Sequence, residues 1–225
     1  MSFATGSLPP LGAPPLRPLV RSPKGLATAL TVLLGLCAAT RLLAVAAGFD
    51  RYLALDALGT SPVVGAGPGW GLYSASTSLV MLAMLPTAVV FIIWFHRVRV
   101  NAGVWAPGMF RSGAGWAIGV WFIPVVGWTV LPYLIAMKVW AASASRLPGS
   151  AASPVSAAPV TAWAGALVAA MAVSLAGNRL AVGATTADAM GASALVGMGA
   201  DLLYAVAAGL AVVFVRRLSA MQSAA

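Results

Sequence analysis

Residues 115–140 read GWAIGVWFIPVVGWTVLPYLIAMKVW, and whether this stretch crosses a bilayer decides how often the whole chain does. It is apolar and longer than the roughly 20 residues a spanning helix needs. Yet Trp116, Trp121, Trp128 and Trp140 are spread along its whole length, whereas a spanning helix collects its aromatic residues at the two interfaces. Pro124 and Pro132 flank Gly127, and proline inside a helix removes a backbone donor and clashes with the preceding turn. The reading is a helical hairpin, broken at Pro124, Gly127 and Pro132, that enters and leaves the membrane on one side. The four Trp residues are expected to act as interface anchors.

Outward from this segment the chain is apolar nearly throughout. Of 225 residues 61% are hydrophobic and 8% charged, against about a quarter charged in an ordinary soluble domain, so a bilayer must supply the solvent. Four stretches have spanning length: 25–48, 72–95, 160–178 and 194–215. In the second, Pro86 is a tolerated kink and Trp94 falls where interfacial aromatics sit. The third and fourth are rich in Ala and Gly, which permits close helix contact in lipid. Residues 1–24 hold six of the fifteen prolines and end on Arg17, Arg21 and Lys24, the composition of a disordered basic cytoplasmic tail. A cleaved signal peptide ending at Ala44-Val45-Ala46 is the rival reading of the first stretch, disfavoured because the apolar run is long and continues past Arg41. Residues 49–71, with Gly67-Pro68-Gly69-Trp70-Gly71, read as an external loop. Residues 97–114 read as a segment lying among headgroups. The membrane domain is taken as 25–217, followed by a short cytoplasmic tail, 218–225.

Charge chooses between two architectures. The chain carries 13 Lys+Arg against four acids, all Asp. If 115–140 crosses fully there are five spans, and the basic residues divide almost evenly between the two sides. If it returns as a hairpin there are four spans and both termini share a side with ten basic residues, leaving Arg41, Arg51 and Arg179 in the other half with Asp50, Asp56, Asp188 and Asp201. Lys/Arg bias in short loops sets orientation, so the expected fold is an all-α integral membrane protein of four transmembrane helices plus a re-entrant or interfacial hairpin, in the cytoplasmic membrane with its N-terminus cytoplasmic. Five transmembrane helices are the alternative.

At Trp94, Arg97 and Asn101, then Arg111-Ser112, Gly115-Trp116, Trp121-Phe122-Ile123-Pro124, Pro132-Tyr133 and Trp140, the chain resembles the DUF4328 family, bacterial multi-pass membrane proteins grouped as a domain of unknown function. The resemblance covers roughly 25–222, and its specific part is 94–143. It implies an interfacial or re-entrant helix after the second proline and carries no assigned activity. In this family an Asn-aromatic pair commonly lies between the two prolines, where this chain has Gly127-Trp128.

The inventory for chemistry is thin. There is one His, one Cys and no Glu, and no nucleophile-elbow, metalloprotease, phosphate-loop or dinucleotide signature. No catalytic residue, cofactor or metal site is expected, and His96 reads as interfacial. Scattered basic residues without interleaved aromatics give no nucleic-acid face. Arg97, Asn101 and Arg111 are candidate contacts for anionic lipid headgroups, since Arg recognises phosphate well. An ionisable residue within a span needs a partner or a wet cavity. Arg41 and Asp201 fall at one depth only with four spans, so they are expected to pair, with Arg179 as a competitor. The functional expectation is a non-enzymatic membrane scaffold or regulator, whose partners are anionic lipid and other membrane proteins or further copies of itself. A small-solute channel or transporter is the alternative, and a lipid-processing enzyme is less favoured for want of an acid–base pair.

Overall fold

The computed structural model describes residues 20–124, 126–147 and 155–223; most of the expected basic tail, residues 1–19, lies outside this range. Four long helices dominate: α1 (Lys24–Asp56), α2 (Trp70–Trp105), α5 (Ala158–Ala181) and α6 (Ala187–Ser223). All four are long and apolar enough to cross a membrane. Three of them overrun the expected spans because nothing breaks them sooner. α1 takes in Asp50 and Arg51 and stops short of Gly59, whose φ of 58° is left-handed. α2 starts after Gly69 (φ 72°) and continues to Trp105, just before Pro107. Thus Arg97–Trp105 continues α2 rather than forming a separate segment. α6 runs past Arg216-Arg217 to Ser223, so 218–223 is helix rather than tail. A helix of 33 residues is about 50 Å long, against a hydrocarbon core of about 30 Å, so these helices protrude.

The connection between α1 and α2 meets that between α5 and α6. Val63 N–H donates to Thr185 O (2.9 Å), Ala187 N–H to Ser61 O (3.0 Å) and Asp188 N–H to Gly59 O (3.0 Å). These backbone groups therefore satisfy one another. Two turns at one end fix the topology: α1 and α5 run toward this loop end, α2 and α6 away from it, and both ends of the described chain lie at the other. That is the four-span arrangement, and 115–140 does not cross. In the bundle α1 packs on α2 and α6, and α6 packs on α5.

The hairpin consists of a single turn, α3 (Trp116–Gly119), a 3-10 turn (Val120–Phe122), a break, and α4 (Val130–Ala144), which packs against α2, α5 and α6. The break is tighter than the prolines alone require. Gly127 N–H donates to Ile123 O (3.1 Å), and a Cβ at Gly127 would run into the carbonyl oxygens of Val120 and Ile123. Pro132 is not part of the break. It is the third residue of α4, where a missing N–H leaves no intrahelical bond unmade. The hairpin dips inward: Trp121 packs edge-on against Phe91 (5.5 Å) and Phe95 (5.9 Å), and Phe91 lies six residues, about 9 Å, inside Arg97. Phe122 at the turn is 76% exposed, as suits a residue facing lipid. Replacing Gly127 by Ala is expected to cost about 1–3 kcal/mol by overpacking. The check is thermal unfolding in detergent, and an unchanged midpoint would mean that the turn is looser than described.

Between the hairpin and the long helices lies an aromatic core. Trp94, Phe95 and Phe214 are fully buried and Trp140 is 2% exposed. Phe214 stacks on Trp163 (5.1 Å) and meets Trp94 edge-on (5.5 Å), geometries the ring quadrupole favours. Trp94 and Trp140 are therefore core residues and Trp121, partly buried, packs against the core, whereas Trp116 and Trp128 are exposed.

Candidate functional site

Two polar sites lie at different depths. The deeper is the Arg41–Asp201 pair: Arg41 Nη1 donates to Asp201 Oδ1 at 2.6 Å. The residues are 56 − 41 = 15 and 201 − 187 = 14 positions from the loop ends of α1 and α6, about 22 and 21 Å at the helical rise. They meet because the two helices are antiparallel neighbours. The Arg41 guanidinium also lies 4.2 Å from the centroid of the Tyr204 ring, a cation–π contact that helps hold the charge. Arg179, the expected competitor, is exposed, and the carboxylate goes to Arg41. Among the described residues this is the one ion pair.

Around the pair is a cavity of about 530 Å³ reached by side chains of α1, α2, α5 and α6. Arg51, read from sequence as a loop residue, lines it and is 8% exposed. Its Nη1 donates to Pro68 O at 3.4 Å, and its guanidinium faces the rings of Trp70 (5.0 Å) and Tyr73 (5.7 Å). Gly69 is what allows α1 and the start of α2 to approach here, since a Cβ on it would fall 2.7 Å from Arg51 Cα. At the loop surface, outside the apolar spans, the Thr186 hydroxyl and then the Ala189 N–H hold the Asp188 carboxyl below its ordinary range, and at the start of α6 a carboxylate also complements the helix dipole.

At the opposite end Asn101 organises the chain termini. Its Nδ2 donates to Arg21 O (2.9 Å) and to Gln222 Oε1 (3.0 Å), and its Oδ1 accepts from Arg21 N–H (3.2 Å). Gln222 Nε2 donates in turn to Val98 O (3.1 Å) and Ser143 Oγ (3.0 Å). Asn101 is 1% exposed. It is therefore a buried tie and not, as expected from sequence, a headgroup contact. Gln222 carried only the weak family resemblance of the Arg216-Arg217 and Gln222 tail, and Ser143 no signal beyond being a polar residue beside apolar ones.

Beside this tie, α2, the 106–115 connection, α3 and α4 enclose a pocket of about 170 Å³ lined by Arg99, Arg111 and Lys138, with Trp116, Leu131 and Leu134 as apolar walls. Arg99 is buried, its Nη2 donating to Ser112 O at 2.7 Å and its guanidinium 3.7 Å from the Phe110 ring centroid. Arg111 and Lys138 are exposed. Arg97 points elsewhere, its Nη1 reaching Ser22 O at 3.4 Å. Of the three residues expected to hold headgroups, only Arg111 lines this pocket, and it is joined there by Arg99 and Lys138. No group of His, Cys, Asp or Glu among the described residues has the grouping of a metal site.

Antiparallel spans, a re-entrant hairpin and a charge pair within the bundle define a multi-pass α-helical membrane protein. The chain belongs to the family described as Domain of unknown function (DUF4328), which matches residues 71–220. That match takes in the hairpin, α5 and nearly all of α2 and α6. No curated protein and no solved structure matches the chain at a significant level.

Proposed function

We propose that this chain is a non-enzymatic protein of the bacterial cytoplasmic membrane that holds anionic phospholipid headgroups on its termini end and acts as a scaffold or regulator there. The observation that carries the reading is the pocket between α2 and the hairpin, where Arg99, Arg111 and Lys138 converge with apolar walls and no carboxylate. Arginine offers a planar fork of donors to phosphate, and lysine adds a point charge. Trp116 and Leu134, both about half exposed, supply surface for the upper acyl chain. Each cation near an anionic membrane surface contributes about 1 kcal/mol. Arg111→Gln with Lys138→Gln leaves the buried Arg99 in place. In the double variant phosphatidylglycerol retained through detergent purification is expected to fall at least about tenfold. Equal retention by variant and native protein would sink the proposal.

The orientation supports the same reading, since nine of the twelve Lys and Arg among the described residues belong to the termini end, which the positive-inside rule assigns to the cytoplasm. In a Cys37→Ala background, a Cys at Ser223 is expected to react with an impermeant thiol reagent only after lysis. Labelling in intact cells would reverse the orientation. The channel reading draws on the 530 Å³ cavity, but a pathway would have to pass the aromatic layer of Phe91, Trp94, Trp163 and Phe214. An apolar constriction of that kind opposes ion passage by dewetting.

A further inference from the structure

The hairpin fills only half of a groove. α2 packs on α1 and α5 on α6, so the two outer helices stand on either side of the inner pair. At the termini end α4 and Trp121 occupy the space. Toward the loop end it is the 530 Å³ cavity, and this continues inward as an apolar pocket of about 180 Å³; Arg41, Val80, Met84 and Tyr204 line both. The lining changes character along the groove. Nearest the loops stand Arg51, Tyr73 and Asn178. Deeper come Leu34, Leu167, Ala207 and Ala208, and Trp163 lies at the far end, where it stacks on Phe214 of the aromatic core.

We infer that this groove binds a single-chain amphiphile with a carboxylate head, a long-chain fatty acid taken from the leaflet at the loop end, with its carboxylate on Arg51 and its alkyl chain running inward to Trp163. Three observations carry this, and none depends on the reading of the opposite face. First, Arg51 has five donors and spends one, weakly, on Pro68 O; it is 8% exposed and faces no carboxylate among the described residues. A buried guanidinium without an anion is an incomplete arrangement. Second, the charges lining the cavity are Arg41, Arg51 and Asp201, and with Arg41 committed to Asp201 they leave one positive charge, matched by one carboxylate. Third, the apolar pocket continues beneath the charged one. A small soluble anion would leave it empty, while an alkyl chain fills it and makes van der Waals contact with its apolar lining. The combined volume falls within the 300–1,000 Å³ of small-molecule sites.

The test uses the full-length protein in a non-ionic detergent, with 9,10-dibromostearate as the probe, since bromine on the chain quenches tryptophan only at close contact. Saturable quenching is expected, and Trp163→Phe should remove a large part of it. Arg51→Gln should weaken the apparent Kd at least tenfold. Should that variant fail to fold, Ala208→Phe, which fills the deep pocket and leaves the head site intact, should weaken it similarly. Quenching that does not saturate, or affinity unchanged in either folded variant, overturns the proposal. Displacement by butyrate as effective as by stearate would make the site one for soluble acids. Tighter binding of oleoyl-lysophosphatidylglycerol than of stearate would overturn the carboxylate assignment.

Discussion

Neutralising one member of the Arg41–Asp201 pair is expected to destabilise the protein by about 3 kcal/mol, and neutralising both by clearly less than the sum of the two single losses. The figure is the lower end for breaking a buried pair, because the side chains retain 19% and 12% of their exposure and the adjoining cavity lets water approach. Arg41→Gln strands a carboxylate inside the bundle. Asp201→Asn strands a guanidinium, which keeps only its contact with the Tyr204 ring. In the double variant nothing charged is left to desolvate, and a coupling of at least about 1 kcal/mol is the expected reading of the cycle. Unfolding in mixed detergent micelles measures all four proteins alike. Strict additivity would show that each charge is solvated separately and that the 2.6 Å contact contributes nothing to stability.

The pair also shows why so much of the fold was legible. Arg41 and Asp201 stand out because a charge within an apolar run is costly, and equal depth follows from counting along antiparallel helices. Four spans and a hairpin followed from composition, from the spread of Trp116 to Trp140 and from the Lys/Arg bias, each a bulk property of the bilayer as solvent. Helix ends were misplaced for the complementary reason. Hydropathy marks where a helix leaves the hydrocarbon, but the backbone goes on making hydrogen bonds until Gly59 or Pro107 stops it. The sites depended on tertiary contact instead. Gln222 stands out only as a weak family match in what reads as a tail, and nothing local distinguishes Arg51 from a loop charge. Arg51 is buried only because Gly69 brings α1 and the start of α2 together. Asn101 reads from sequence as a headgroup contact, but its chemistry is set by what α6 and the chain start present to it.

Asn101→Ala is expected to cost about 3 kcal/mol and to release the start of the chain. The Asn101 side chain makes three hydrogen bonds, two to the Arg21 backbone and one to Gln222, and a typical intramolecular hydrogen bond nets about 1 kcal/mol. The penalty is not spread evenly. The Arg21 backbone lies at an exposed residue and can turn to water, whereas Gln222 is 3% exposed and would keep an acceptor facing the space Asn101 vacates, an unsatisfied group costing about 1–3 kcal/mol. Because Gln222 also holds Val98 O on α2 and Ser143 on α4, its loosening reaches the hairpin as well as the terminus. Asn101→Asp should be at least as damaging. It retains an acceptor for Arg21 N–H but loses the two donated bonds, setting a buried negative charge against the Arg21 carbonyl and the Gln222 side-chain oxygen. Two measurements read the effect: thermal unfolding for the energy, and trypsin cleavage after Arg21 and Lys24 for release of the terminus. If Asn101→Ala unfolds within 0.5 kcal/mol of the native protein, roughly the range of an inconsequential surface change, and cleavage is no faster, the network is incidental. The termini would then be held together by the apolar packing of Leu30, Val98 and Leu218 alone.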